Sequence, residues 1–268
     1  MGDSYDSDPM NRVFNVLRNT HPSLFIHSIY INPDDSKDQE DSFFGNVNNH
    51  LEIACEQISQ IKELQNGFDC IGFSQGGLFI RSLIETCQFM DNKVNNLITF
   101  GSPHTGVSDL PTCKDNDWIC KQRNQFLKKQ VWRENIQTNI VSAQYFRDLY
   151  NYETYLSHSK FIVYLNNELP GHTNTTYAQR LSSINGNFVM VMFEKDTILV
   201  PKQSAWFQDE DISTGNMIEL VDTDLYNEDW LGIKKLDENH QLRYLTIDDE
   251  HMVISDDFLT FIAENYLG

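Results

Sequence analysis

The sequence predicts an α/β fold, a mainly parallel sheet with helices on both faces. Three observations predict it. Short, continuous apolar runs alternate with stretches whose apolar residues recur at helical spacing. One such run passes through a glycine-rich turn, Gly72-Phe73-Ser74-Gln75-Gly76-Gly77, directly into a helical stretch. The chain has 268 residues, 40% of them hydrophobic, enough for a full core in one domain (1–268) that carries an insertion.

In chain order, residues 9–19 read as a helix and 24–31 as a strand. The acidic stretch 32–41, with Asp34, Asp35, Asp38, Glu40 and Asp41, reads as a solvated loop, because its spacing lacks the calcium-loop pattern. A helix over 46–64, a strand over 68–73, a helix over 78–90 and a strand over 94–100 follow. In the second of these helices Phe79, Ile80, Leu83, Ile84 and Cys87 keep helical spacing. Residues of about 105–184 interrupt the alternation with helical and irregular segments bearing Trp118, Trp132, Tyr145 and Phe146. An insertion here is where a lid or groove is built, although most of its aromatics are expected to form its own core. Beyond it, 187–193 is a strand too short and too continuous for an amphipathic helix. Residues 217–221 are a further apolar stretch, and 241–247 is the last strand.

The turn at residues 72–77 is a G-x-S-x-G string placed between strand and helix. Such a turn forces its apex residue into a strained backbone with the side chain exposed, and the flanking glycines remove clashing Cβ atoms. Ser74 is therefore the candidate nucleophile. A serine hydroxyl needs an imidazole to take its proton and a carboxylate to orient that imidazole. On sheets with this elbow the partners arrive in the order Ser, acid, His, each just past a strand. Asp196 follows strand 187–193, with Glu194 close by, and Asp222 and Asp224 follow 217–221 as alternatives. His251 follows strand 241–247, and His240, which precedes that strand, is its rival. His21 and His27 lie before the elbow, while His50, His158 and His172 have no such position. His104 stands on a loop expected to emerge beside the elbow, where it would line the site without being the base.

With Gly72–Gly77, Asp196-Thr-Ile-Leu-Val-Pro201 and Asp249-Glu-His251 in view, the chain resembles the palmitoyl-protein thioesterases, lysosomal enzymes of the α/β-hydrolase fold. Further shared positions include Met1-Gly-Asp-Ser4, Ser42-Phe-Phe-Gly-Asn-Val-Asn48, Phe188-Val-Met-Val191, Trp206-Phe207 and Leu267-Gly268, so the likeness spans essentially the whole chain. The resemblance implies hydrolysis of the thioester between a long fatty acyl group and cysteine in lipid-modified proteins or peptides. Ser74 would attack, His251 relay the proton and Asp196 orient His251. The backbone N–H of Gln75 and one in the segment beginning at Met1 would hold the oxyanion. It also implies disulfides Cys55–Cys87 and Cys113–Cys120, with Cys70 left as a buried thiol, and a lysosomal or vacuolar lumen as the location. In the family an apolar strand and a His-Gly pair precede the Met-Gly-Asp-Ser segment. This chain opens at Met1, and an N-terminally shortened form is expected. Ile198, Leu199 and Trp206, just past the candidate acid, are expected to line an acyl groove.

Composition bounds the rest. With 39 acidic and 20 basic residues the net charge is −19, which argues against binding nucleic acid phosphates or anionic membranes. No run approaches membrane-spanning length. No phosphate-binding glycine loop, dinucleotide pattern or zinc-helix motif occurs, so no cofactor or metal is expected. Asn174-Thr175-Thr176 is a glycosylation acceptor if the chain is secreted. Two rival readings share the elbow: an esterase or lipase acting on oxygen esters, and an inactive lipid-binding protein.

Overall fold

The computed structural model describes residues 2–109 and 129–268. Strands β1 (Phe68–Phe73), β2 (Val94–Phe100), β3 (Phe188–Phe193) and β6 (Leu242–Ile247) form one sheet in the order β1-β2-β3-β6, every neighbouring pair parallel. Strands β4 (Asp209–Asp211) and β5 (Asn216–Ile218) make a separate antiparallel pair. The continuous apolar runs have a simple cause. A parallel sheet covered on both faces buries alternate residues in opposite directions, so every position wants an apolar side chain. Accordingly Leu97, Phe188 and Met190 enter one core, while Ile98, Phe100, Val189, Val191 and Phe193 enter the other.

Helices supply the two covers. Helix α1 (Asp8–Thr20) packs with the C-terminal helix α12 (Asp256–Tyr266) on the Ile98 and Val191 side. Its start is fixed by the Ser7 hydroxyl, which accepts from Met10 N–H, and by the proline in its first turn. Helices α3 (Val47–Ser59) and α4 (Gln75–Thr86) bury Leu51, Ala54, Ile58, Leu78, Leu83 and Ile84 on the other side. Cys55 on α3 is bonded to Cys87 at the end of α4 with Cα atoms 5.7 Å apart, the pairing implied by the resemblance. Cys70 is a buried free thiol. Cys113, Cys120 and Trp118 lie outside the described residues.

Between residues 129 and 184 the chain makes short helices: α5 (Glu134–Asn139), α6 (Val141–Gln144), α7 (Tyr152–His158), α8 (Ile162–Leu165) and α9 (Thr175–Leu181). Trp132 packs against Phe146 and Tyr155 there. Buried Arg147 pairs with Glu168 and bidentately with Asp209, joining this region to β4. Helices α10 (Asp224–Asn227) and α11 (Ile233–Glu238) precede β6. Asn174 is exposed and caps α9, its side chain accepting from Thr176 N–H.

Three sequence expectations are corrected. Residues 35–41 are not loop but helix α2 (Asp35–Asp41), because the Asp34 carboxylate caps it by accepting from Lys37 N–H. Residues 24–31 are apolar enough for a strand yet join no ladder. A cavity separates them from β1, and side chains hold them instead. Asp38 accepts from Ile31 and Asn32 N–H, and Gln57 both donates to and accepts from the Tyr30 backbone. The helix expected over 78–90 starts three residues earlier, at the turn itself, and ends at Thr86 before a single 3₁₀ turn.

Candidate active site

The C-terminal ends of β1, β3 and β6 point the same way, and each is followed by one of the candidate side chains. Ser74 directly follows β1 with φ 50° and ψ −124°, the strained elbow the glycines predict. Gly72 is required because a Cβ there would sit 2.4 Å from Gly77 Cα, and Gly77 because one there would sit 1.8 Å from Ser102 Oγ. Ser74 N–H donates to Phe100 O at 2.7 Å, which fixes the elbow to β2.

His251, four residues past β6, brings its Nε2 to 2.9 Å from Ser74 Oγ. Its Nδ1 lies 2.5 Å from Asp196 Oδ2, three residues past β3. Both contacts are satisfied when Nδ1–H donates to the carboxylate and Nε2 accepts from the serine hydroxyl. The other carboxylate oxygen, Oδ1, accepts from Ile198 and Leu199 N–H at 2.9 Å each, so the Asp196 side chain cannot rotate away. Its side chain is 1% exposed and that of His251 11%, leaving the imidazole open to a reacting molecule and the carboxylate behind it. Such a constellation can move a proton from hydroxyl to ring and back to a leaving group.

The other candidates lie elsewhere. His240 is in an exposed turn at positive φ, where its carbonyl accepts from Arg243. Glu194 is exposed. Asp222 and Asp224 sit around the start of α10. His104 does not line the site. It is fully buried, stacked on Phe207 with ring centres 4.6 Å apart and hydrogen-bonded through Nε2 to Thr99. Burial beside Arg81 holds its pKa well below the usual imidazole range.

The comparisons with known proteins agree with one another. A family model described as palmitoyl protein thioesterase matches residues 1–251. The chain belongs to the palmitoyl protein thioesterase family. Palmitoyl-protein thioesterase 1 of Caenorhabditis elegans is 34% identical over 248 residues, 91% of this chain and 81% of that one. Palmitoyl-protein thioesterase 3 of Dictyostelium discoideum is 31% identical over 212 residues, 79% of this chain and 70% of that one. The palmitoyl-protein thioesterase-dolichyl pyrophosphate phosphatase fusion 1 of Schizosaccharomyces pombe is 34% identical over 228 residues, and the chain matches 36% of its length.

In this family member a cavity of about 1100 Å³ opens at Ser74, Gln75 and His251. On one side Val107, Val131, Val141, Phe146, Phe161 and Leu199 give it an apolar wall. Of the three groove candidates, Ile198 and Leu199 line it; Trp206 does not. The Trp206 indole N–H is drawn to Met190 O at 3.0 Å, and its ring packs edge-on against Tyr244. The wall from residues 131–146 lies in the insertion where a lid or groove was expected, but its individual lining residues were not separated there from the insertion's own core. Its signal was present in the helical spacing of Ile136 and Ile140, but the same pattern fits ordinary core. Gln75 is the first residue of α4, so its N–H has no acceptor within the helix and stands at the positive end of the helix dipole. Met1 lies outside the described residues. Among the described residues no cluster of histidine, cysteine and carboxylate side chains could hold a metal ion.

Proposed function

We propose that this chain hydrolyses the thioester joining a long-chain fatty acyl group to cysteine in lipid-modified proteins or peptides, through an acyl-enzyme on Ser74. The observation that carries the reading is the continuous hydrogen-bonded line from Ser74 Oγ through His251 to Asp196, at the mouth of an apolar cavity, in a member of the palmitoyl protein thioesterase family. Ser74 Oγ adds to the acyl carbon as His251 Nε2 takes its proton. The ring then returns that proton to the departing cysteine sulfur, and water, activated by the same ring, releases the fatty acid. Asp196 stabilises the imidazolium in both halves, and the Gln75 N–H donates to the oxyanion. The apolar wall takes the acyl chain out of water, a gain of about 0.8 kcal/mol for each buried methylene.

The Cys55–Cys87 disulfide supports a lumenal or secreted setting, since such bonds persist in oxidising compartments. Within that setting the lysosome or vacuole is the proposed home, and Asn174, exposed at the start of α9, the proposed glycan site. No helix among the described residues is long and apolar enough to cross a membrane.

The test is turnover of a palmitoyl-cysteine peptide against a matched oxygen ester. Ser74→Ala and His251→Ala are each expected to remove turnover of both while leaving the melting temperature within a few degrees, since neither fills the core. Asp196→Asn should retain roughly 10⁻⁴ of the wild-type kcat by keeping the wrong imidazole tautomer. An oxygen ester cleaved far faster than the thioester would turn the reading into an esterase, and activity surviving Ser74→Ala would end it.

A further inference from the structure

The side chain of Gln75 is fastened at both ends. Its Nε2 lies 3.1 Å from the carbonyl of Ser42, which can only accept, so the amide must present its N–H there. Its Oε1 then faces the Tyr145 hydroxyl at 3.1 Å, and the phenol donates. Burial pushes the Tyr145 pKa up, so that phenol keeps its proton across the whole working range. Tyr145 is itself held. Its carbonyl accepts from Val107 N–H at 3.0 Å, and Gly106, at φ +89°, makes room for that approach because a Cβ there would lie 2.7 Å from the Tyr145 oxygen.

The tether continues past Ser42. The Ser42 hydroxyl donates to Gln39 O and accepts from Gly2 N–H, both at 2.7 Å, and Gln39 Nε2 donates to Gly2 O at 2.8 Å. A line of side chains thus runs from the cavity wall at Tyr145, through the residue that follows the nucleophile, to the backbone at Gly2. Nothing in ordinary packing demands that line. It joins four segments distant in sequence and passes within one residue of the strained Ser74.

We propose that Tyr145, acting through the side chain of Gln75 and Ser42, is a positioning residue that holds the Gln75 backbone N–H in line with the developing oxyanion. The inference rests on the thioesterase reading for its reaction but has its own readout. An oxyanion donor is worth 10²–10³ in kcat, and displacement of a reacting geometry by about 1 Å costs up to roughly 10²-fold. Loosening the tether should therefore cost kcat more than binding.

The experiment uses Tyr145→Phe, which keeps the ring against the cavity and removes the one hydroxyl, and Gln75→Met, which keeps the length and removes the amide. Each is measured for kcat and KM on a palmitoyl-cysteine peptide, for the rate of labelling by a fluorophosphonate whose P=O occupies the oxyanion position, and for melting temperature. The expected result for Tyr145→Phe is a fall of about tenfold in kcat and in labelling rate, KM within twofold and melting within a few degrees. The double variant should be no slower than the slower single one, because both cut one line. Wild-type kcat and labelling in Tyr145→Phe, a change in KM alone, or losses that multiply in the double variant would overturn the positioning role while leaving the thioesterase reading intact. A wild type that labels but does not cleave the thioester would remove that reading and leave the labelling ratios to decide the tether. A wild type that does neither would remove both.

Discussion

At the scale of single residues, the elbow is a contest between a strained apex and the glycines that make it possible. Ser74 holds φ 50°, a region that costs a residue with a Cβ of order 1–3 kcal/mol. The three glycines around it are not equivalent. A Cβ on Gly77 would meet Ser102 Oγ at 1.8 Å, Ser102 Cβ at 2.7 Å and Thr99 Cβ at 3.0 Å, while one on Gly76 meets nothing within 4 Å. Gly77→Ala must therefore push α4 away from Thr99 and Ser102, and it is expected to lower unfolding free energy by about 1–3 kcal/mol and to abolish labelling of Ser74. Gly76→Ala should be neutral or stabilising by up to ~1 kcal/mol, since alanine is the better helix former in the first turn of α4. Urea unfolding of the two variants side by side checks this, and equal losses would show that the clash at Gly77 does not set the requirement.

At the scale of elements, strand ends explain why the sequence alone points to Ser74, Asp196 and His251 as a candidate site. Ser74, Asp196 and His251 each stand within four residues of the end of a strand, and those strands were visible as continuous apolar runs that only a doubly covered parallel sheet demands. What escaped was whatever depended on tertiary partners. The run at 24–31 reads as a strand in composition, but a ladder needs a neighbour within reach, and a cavity lies there. The charged run at 35–41 reads as loop, yet one capping carboxylate turns it into α2. His104 looks like a candidate site residue because it follows β2, and only the stacking on Phe207 and the edge-on contact with Phe188 show it facing the core. Trp206 misleads for the same reason, its indole N–H being claimed by Met190 O. One element-scale link is covalent. The Cys55–Cys87 bond closes a sequence separation of 32 residues between α3 and α4. Loop-closure entropy puts its worth at about 3–4 kcal/mol. The double variant Cys55→Ser, Cys87→Ser is expected to lose roughly that much stability in chemical denaturation while keeping kcat at low temperature, because neither sulfur lies near Ser74. Loss of activity without loss of stability would reverse that assignment.

For the whole molecule, the relevant feature is a group of buried charges beneath α4, away from the site. Arg81 and Glu85 are both fully buried, their charged atoms 3.6 Å apart. Arg81 also donates to Asn166 and lies over the Phe207 ring. Glu168 adds its charge to the Arg81 side of the pair, and the pair in turn acts on two further titratable groups, Arg81 on His104 and Glu85 on Tyr177. Burial, only partly offset by Arg81, pushes the Glu85 pKa from 4.5 up to about 7. Between those values the folded chain holds a proton that the unfolded chain has released, so this carboxyl withdraws stability as pH rises from about 4.5 to 7 and restores it on acidification. His104 does the reverse. Its pKa is depressed by burial, so below the ordinary 6.5 the unfolded chain gains a proton that the folded chain refuses, and stability falls with pH. The two groups therefore oppose one another through the acid range, which flattens the response of a protein proposed to work in an acidic lumen. Glu85→Gln removes the first effect and keeps the second. The melting temperature of wild type minus that of Glu85→Gln should move in favour of wild type by roughly 5 °C on going from pH 7 to pH 4.5, corresponding to about 2 kcal/mol. Calorimetry of the two proteins across that range decides it: a difference that stays constant with pH would mean that Glu85 carries its charge in the folded state throughout, neutralised by Arg81.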